Sequence, residues 1–116
     1  MIEGGCFCGD IRFAIDDGAH ASVNCHCSMC RRMHAAPYVT WLIVPVTGFR
    51  YTKATPATFA SSEHGTRYFC ARCGTHVACI NDTHPEIVDI AVGCCDQPEL
   101  LAPNRDYYTD TKLPWV

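Results

Sequence analysis

Cys70-Ala71-Arg72-Cys73-Gly74, read together with Cys6-Phe7-Cys8-Gly9 near the start of the chain, decides the fold. Each is a pair of cysteines followed at once by glycine. A backbone that turns its amide N–H groups back towards a thiolate often needs positive φ just past the second cysteine, and glycine takes that conformation at least cost. Buried free thiols explain neither the paired spacing nor the trailing glycines. Thiolates spaced this way suit a soft, four-coordinate ion such as Zn²⁺. Cys6, Cys8, Cys70 and Cys73 are therefore expected to close one structural site, pinning the N-terminal strand to the middle of the chain.

A second cluster, Cys25-His26-Cys27-Ser28-Met29-Cys30, differs in kind. It offers three sulfurs and no trailing glycine. If Cys25, Cys27 and Cys30 hold a second Zn²⁺, the fourth ligand is a distant residue, water or a substrate thiol. His34 is a nearby candidate, whereas His26 lies between ligands and is expected to point away. Zinc sites that do chemistry keep three protein ligands and an open place. Three strongly donating thiolates leave the metal poorly suited to activating water and well suited to capturing another thiol. The following Arg31-Arg32 is placed to offset charge or hold a substrate carboxylate. A closed site completed by Cys79, Cys94, Cys95 or a histidine is the competing reading.

The remaining cysteines carry weaker signals. Cys79, in Val77-Ala78-Cys79-Ile80, reads as a small core residue. Cys94-Cys95 is a vicinal pair at a strand end, read as one buried and one exposed thiol. Trp41 and Phe69 read as core. Trp115 serves the core or covers the mouth of a site near the C-terminus.

Working outward, the segments read as short strands between turns. Ile11, Phe13 and Ile15 alternate with Arg12 and Ala14, as in a strand with one buried face. Tyr38 to Val44 is β-branched and aromatic and reads as a central strand ended by Pro45. Further strands are expected over 50–53, 58–61, 66–69, 75–80 and 87–92, and one short helix over 28–34. The chain is expected to be all-β, a single zinc-binding domain over residues 1–116 with small sheets folded around metal sites. Its length of 116 residues leaves no room for two independent cores.

The bulk numbers exclude several classes. With a net charge of −3, taken to about −6 if seven thiolates hold two Zn²⁺, there is no basic face for nucleic acid. The most apolar stretch, 41–46, is too short to span a bilayer. The first residues, Met-Ile-Glu-Gly-Gly-Cys, have neither the charged nor the apolar region of a signal peptide. A cytoplasmic protein with reduced thiols is the resulting expectation. No Ser-His-Asp constellation, P-loop or paired-carboxylate motif can be identified.

The chain also resembles the glutathione-dependent formaldehyde-activating enzyme family, of Mss4-like fold. The resemblance rests on Gly5-Cys6-Phe7-Cys8-Gly9-Asp10-Ile11-Arg12-Phe13 and on Cys25-His26-Cys27-Ser28-Met29-Cys30-Arg31. It continues through Arg67-Tyr68-Phe69-Cys70-Ala71-Arg72-Cys73-Gly74-Thr75 to Lys112-Leu113-Pro114-Trp115. It implies structural zinc ligands at Cys6, Cys8, Cys70 and Cys73 and a catalytic zinc at Cys25, Cys27 and Cys30. It also implies a carbon–sulfur lyase-type reaction joining glutathione to formaldehyde. Ala35 or Ala36 stands where many members carry glycine. A non-enzymatic zinc module that binds metal or thiols is the alternative from a different class, because the same fold also serves as an interaction scaffold. A reductase of oxidised methionine, using Cys94 or Cys95, is a weaker third, opposed by the Cys-x-Cys spacing.

Overall fold

The computed structural model describes residues 1–116. Ten strands and one helix follow one another as β1 (Ile2–Gly5), β2 (Arg12–Ile15), β3 (Ala21–Cys25), α1 (Ser28–His34), β4 (Val39–Pro45) and β5 (Phe49–Lys53). They continue as β6 (Ala57–Ala60), β7 (Gly65–Phe69), β8 (His76–Asn81), β9 (Ile87–Ala91) and β10 (Arg105–Tyr107). The all-β expectation holds. Strands β1, β2 and β5 form a small antiparallel sheet, and the other seven form a large one in the order β10-β3-β4-β9-β8-β7-β6. No helix is long and apolar enough to cross a membrane.

The helix falls where the sequence places it, over Ser28–His34, and the seven expected strands are all present to within a residue or two at their ends. Three strands were not legible. In β1 the sequence Ile-Glu-Gly-Gly has no strand-like alternation. Its glycines answer a packing need, since a Cβ on Gly4 would strike the Cys94 carbonyl oxygen where the two segments bridge. In β3, Ala-Ser-Val-Asn-Cys is mostly small or polar, and β10 is only three exposed residues.

Central strand β4 explains how one sheet serves two cores. Leu42 and Val44 face one way, into a cluster with Phe13, Ile15, Val77, Val88 and Ile90 that fills the space between the sheets. Val39 and Trp41 face the other way and join Val23, Cys25, Cys30 and Ala91 beneath α1. A strand covered on both faces needs a continuous apolar run, and Tyr38–Val44 is one. Burying each large apolar side chain contributes about 1.5–3 kcal/mol. The first core thus holds the sheets together, and the second forms the floor on which the three-cysteine cluster stands. Trp41 is buried as expected, Phe69 is half-buried against His76, and Trp115 is 72% exposed and serves no core.

The C-terminal segment is tied to β3 by a polar network. Strand β10 runs parallel to β3 with Asp106 opposite Asn24 and Tyr107 opposite Cys25. His26, 1% exposed, donates from Nε2 to Asp106 Oδ1 at 2.8 Å. Its carbonyl accepts from the Thr111 hydroxyl, and its N–H donates to the Tyr107 carbonyl. The hydrogen bond from His26, then that from Asn24, holds the Asp106 carboxyl below the usual carboxylate range. An imidazole with no exposed surface loses more from a missing partner than it gains from having one. Asp106→Ala is therefore expected to raise the rate of limited proteolysis within residues 105–116 by about fivefold or more. Cleavage at the parental rate would show that the network does not hold the segment.

Candidate metal centre

All seven cysteines singled out by spacing converge, in the two sets the spacing indicates. The sulfurs of Cys6, Cys8, Cys70 and Cys73 lie within 4.8 Å of one another, and so do those of Cys25, Cys27 and Cys30. Both sets can hold a metal ion.

The four-cysteine set is built by two matching turns. Gly9 and Gly74 both have φ of +82°, as the trailing glycines require, with open space where a Cβ would sit. The need at both is conformational. Gly9 N–H donates to the Cys6 carbonyl and Gly74 N–H to the Cys70 carbonyl, closing the turns. Ile11 N–H then reaches Cys6 Sγ at 3.2 Å, and Cys73 N–H reaches Cys70 Sγ at 3.4 Å. A tetrahedron with Zn–S bonds of about 2.3 Å has S···S edges of about 3.8 Å. The Cys6–Cys8 and Cys8–Cys70 pairs stand at 3.6 and 3.8 Å, so the donor set fits a tetrahedral thiolate-bound cation.

Thr75, which sequence reasoning passed over, joins the two turns. Its hydroxyl oxygen accepts from Phe7 N–H at 3.1 Å and its proton goes to Cys73 Sγ at 3.2 Å. That hydroxyl is the main reason the Cys73 thiol is pulled down to about 5. Thr at this position, two residues past the last cysteine, is the only signal the sequence offered.

In the three-cysteine set, Cys25 ends β3, Cys27 caps α1 and Cys30 lies in the helix's first turn. Cys30 N–H donates to Cys27 Sγ at 3.2 Å, which fixes the direction of the Cys27 side chain. No fourth Cys, His, Asp or Glu joins the three. His34 packs edge-on against Trp41 and beside His76, and burial lowers its pKa to about 4. His26 points to Asp106, away from the cluster, as expected.

The cation that serves this cluster is Arg67, on β7. It is 3% exposed, with Nη2 donating to Cys30 Sγ at 3.6 Å and Nε to Ser61 Oγ at 3.2 Å. A hydrogen bond from Cys25 first, and then Arg67, brings the Cys30 thiol down to about 5 against the opposing effect of burial. Cys25 is pushed up, by that same bond to Cys30 and by burial. Three close thiols cannot ionise together without a cation among them, and a divalent ion removes the conflict. The sequence hid Arg67, because a lone arginine alternating with threonine and tyrosine reads as the wet face of a strand.

Arg31 and Arg32, the expected counter-charges, lie elsewhere. They line a separate depression with Ala35, Ala36, Pro37 and Leu113. Other expectations also change. Cys79 is half-buried and faces the three-cysteine cluster instead of serving the main core. Cys95 is buried and Cys94 half-buried, so neither is exposed, and burial pushes them up to about 11 and about 12. Thiols held so far up are weak nucleophiles near neutral pH, which removes the basis of the methionine-reductase reading.

Beside Cys25, Cys27 and Cys30 lies a cleft of about 510 Å³. Trp41, Val23 and Ile43 give it an apolar side, and Arg67, Asp89 and Ser61 a polar one. Tyr107 and Tyr108, on the segment tied down by His26, form part of its wall.

With this geometry the comparisons with known proteins agree. Residues 1–111 match the family model described as glutathione-dependent formaldehyde-activating enzyme, and the chain belongs to that family. A Halomonas elongata protein named "Putative glutathione-dependent formaldehyde-activating enzyme" is 27% identical over 125 residues, covering 100% of this chain and 80% of that protein. A crystal structure of a Rhodobacter sphaeroides protein superimposes with a TM-score of 0.70 at 18% identity, covering 90% of this chain and 98% of that one. This last likeness concerns the fold alone.

Two expected outcomes separate the sites. Removing the Thr75 hydroxyl raises the Cys73 pKa, so protons compete with metal at higher pH. Thr75→Val should shift release from the four-cysteine site to higher pH, read with a chromogenic chelator across a pH series; an unmoved midpoint would remove Thr75 from the site. Arg67→Met should weaken metal binding at the three-cysteine site by about 10–100-fold while sparing the other. Competition with a chelator of known affinity measures both steps, and equal steps in parent and variant would count against Arg67.

Proposed function

We propose that this chain is a single zinc-binding domain over residues 1–116 that adds a small thiol reversibly to an aldehyde, a carbon–sulfur lyase-type reaction. By family, the thiol is glutathione and the aldehyde is of the formaldehyde kind. In this reading Cys6, Cys8, Cys70 and Cys73 hold a structural Zn²⁺, and Cys25, Cys27 and Cys30 hold a second.

One observation carries the reading. Three cysteine sulfurs converge at the wall of a cleft, and no fourth side-chain donor joins them. Tetrahedral thiolate sites that serve structure alone are closed by the protein, and this one is left a ligand short. A Zn²⁺ bound there supplies a soft Lewis acid that favours a substrate thiol in its thiolate form.

The chain's own residues account for the rest. Cys25, Cys27 and Cys30 present their sulfurs on elements fixed by β3 and α1, so little reorganisation accompanies loading. Arg67 offsets the negative charge of Cys30 from a buried position. Val23, Ile43 and Trp41 keep one side of the cleft apolar, which limits water around a nucleophilic sulfur. The reaction itself asks little more than a thiolate held at the right distance from a carbonyl carbon.

The competing reading, a zinc module that binds thiols without turnover, shares the same donor set and is separated by rate. Glutathione is titrated calorimetrically into protein shown to carry two Zn²⁺, with Cys27→Ser alongside. Exchange between glutathione with formaldehyde and the S-hydroxymethyl adduct is followed by NMR. Saturable binding and accelerated exchange are expected in the parent, with both lost in Cys27→Ser. Binding without acceleration would leave the module reading, and no binding would sink the assignment of glutathione.

A further inference from the structure

The cleft beside the three-cysteine cluster holds a carboxylate, Asp89, that no protein group meets with a hydrogen bond or an ion pair. Asp89 sits in β9 between Val88 and Ile90, in a strand otherwise made of Ile87, Val88, Ile90 and Ala91. Strand register puts it in a row across the sheet face: Arg67 opposite Cys79, Cys79 opposite Asp89, and Asp89 opposite Ile43. Facing side chains in such a row are near neighbours. Arg67 and Asp89 therefore look into the same cleft, one strand apart on either side of Cys79. The arginine donates to Cys30 and Ser61 and leaves Nη1 without a partner, and it closes no ion pair with the aspartate.

A half-buried carboxylate without a partner costs stability, so a purely structural role does not explain it. Burial, and then the negative charge of Cys30, raises the Asp89 carboxyl to about 6 against the opposing charge of Arg67. The other polar groups of the cleft are less suited to moving a proton. Burial puts the Cys79 thiol at about 11, and His84 is an exposed residue beside Glu86 at 3.7 Å.

We propose that Asp89 is the proton-transfer group of this cleft, taking the proton of the incoming thiol and returning it to the oxygen of the aldehyde. The inference rests on the thiol–aldehyde reading above. The carboxylate removes the S–H proton, leaving a thiolate and a carboxylic acid. A sulfur lone pair then forms the C–S bond while the π pair of the C=O bond moves to oxygen. The carboxylic acid gives its proton to that oxygen, which completes the hydroxymethyl group and restores the carboxylate. The proton that leaves sulfur ends on oxygen, so no further reactant enters. The reverse reaction uses the same steps, with the carboxylate first drawing the hydroxyl proton. This gives the cleft a second function beside sulfur capture, and it selects for substrates whose reacting oxygen can reach the β9 side.

The test compares the zinc-loaded parent with Asp89→Asn, which keeps size and polarity but cannot accept or deliver the proton. NMR exchange rates are measured with glutathione and formaldehyde, together with zinc content, calorimetric glutathione affinity and thermal melting. The expected result is a loss of about 10²-fold or more in kcat. Zinc content and glutathione affinity stay at parental values, and melting is no lower than in the parent. Asp89→Glu should recover part of the rate. Asp89→Ser makes the same comparison with a smaller side chain should the amide variant fold poorly. A parent that accelerates exchange while Asp89→Asn and Asp89→Ser stay within about twofold of it overturns the role of Asp89 and leaves the thiol–aldehyde reading standing. Loss of zinc or of glutathione affinity in the variants would make Asp89 a binding residue and overturn proton transfer. A parent with no acceleration overturns the reading itself, an outcome visible before any variant is compared.

Discussion

Four sulfurs drawn from two distant turns to within 4.8 Å are the constraint on which the rest of the structure depends. Cys6 and Cys8 follow β1, at the edge of the small sheet, while Cys70 and Cys73 follow β7, near the far edge of the large one. The sheets also share a core, but a core built from Phe13, Ile15, Leu42, Val44 and their neighbours tolerates some sliding of apolar surfaces. Directed S–metal bonds would not. Closing so long a loop carries an entropic cost that grows only slowly with its length, and a structural zinc ion held as proposed would offset many times that amount. The matched glycines, the backbone N–H groups aimed at sulfur and the Thr75 hydroxyl all lower the cost of gathering four thiolates. The glycines let the turns close, and the N–H groups and the hydroxyl supply positive charge density to sulfur before a metal arrives.

The three-cysteine cluster solves the same charge problem differently. It lacks the paired turns and has one short helix, so fewer backbone dipoles reach its sulfurs. Arg67 makes up the difference from the far side of the sheet, buried and held in place by Ser61. A permanent cation is an advantage where the number of thiolates changes as a substrate sulfur comes and goes, because backbone dipoles alone would leave the full cluster too negative. On the proposed reading, this separates a site built to stay closed from one built to be visited.

How much of this was legible follows from range. The cysteine partition, the glycine conformations, helix Ser28–His34 and strand β4 were all readable, because each is specified within a few residues by covalent or periodic constraints. Strand β1 was hidden because its glycines serve a contact with Cys94 that no local pattern announces. Strand β10 was hidden because its pairing with β3 is fixed by His26 and Asp106, eighty residues apart. Arg31 and Arg32 misled for the opposite reason: proximity in sequence stood in for direction, and both line a depression apart from the cleft.

Arg67 and Asp89 escaped notice because polar residues in short strands look like the wet half of an alternating pattern. The large sheet gives that alternation another meaning. One of its faces, carrying Leu42, Val44 and Ile90, is spent on the core, and the other is left to form the floor of a cleft. Polar side chains on the second face are partly withdrawn from water without being paired, which keeps a cation and a carboxylate a strand apart on either side of Cys79. A sandwich with two dry faces would bury such charges at prohibitive cost, and a fully wet face would leave their pKa values unshifted. The half-covered face, roofed by α1 and walled by the segment around Tyr107, is the condition that lets the same sheet hold the molecule together on one side and support chemistry on the other.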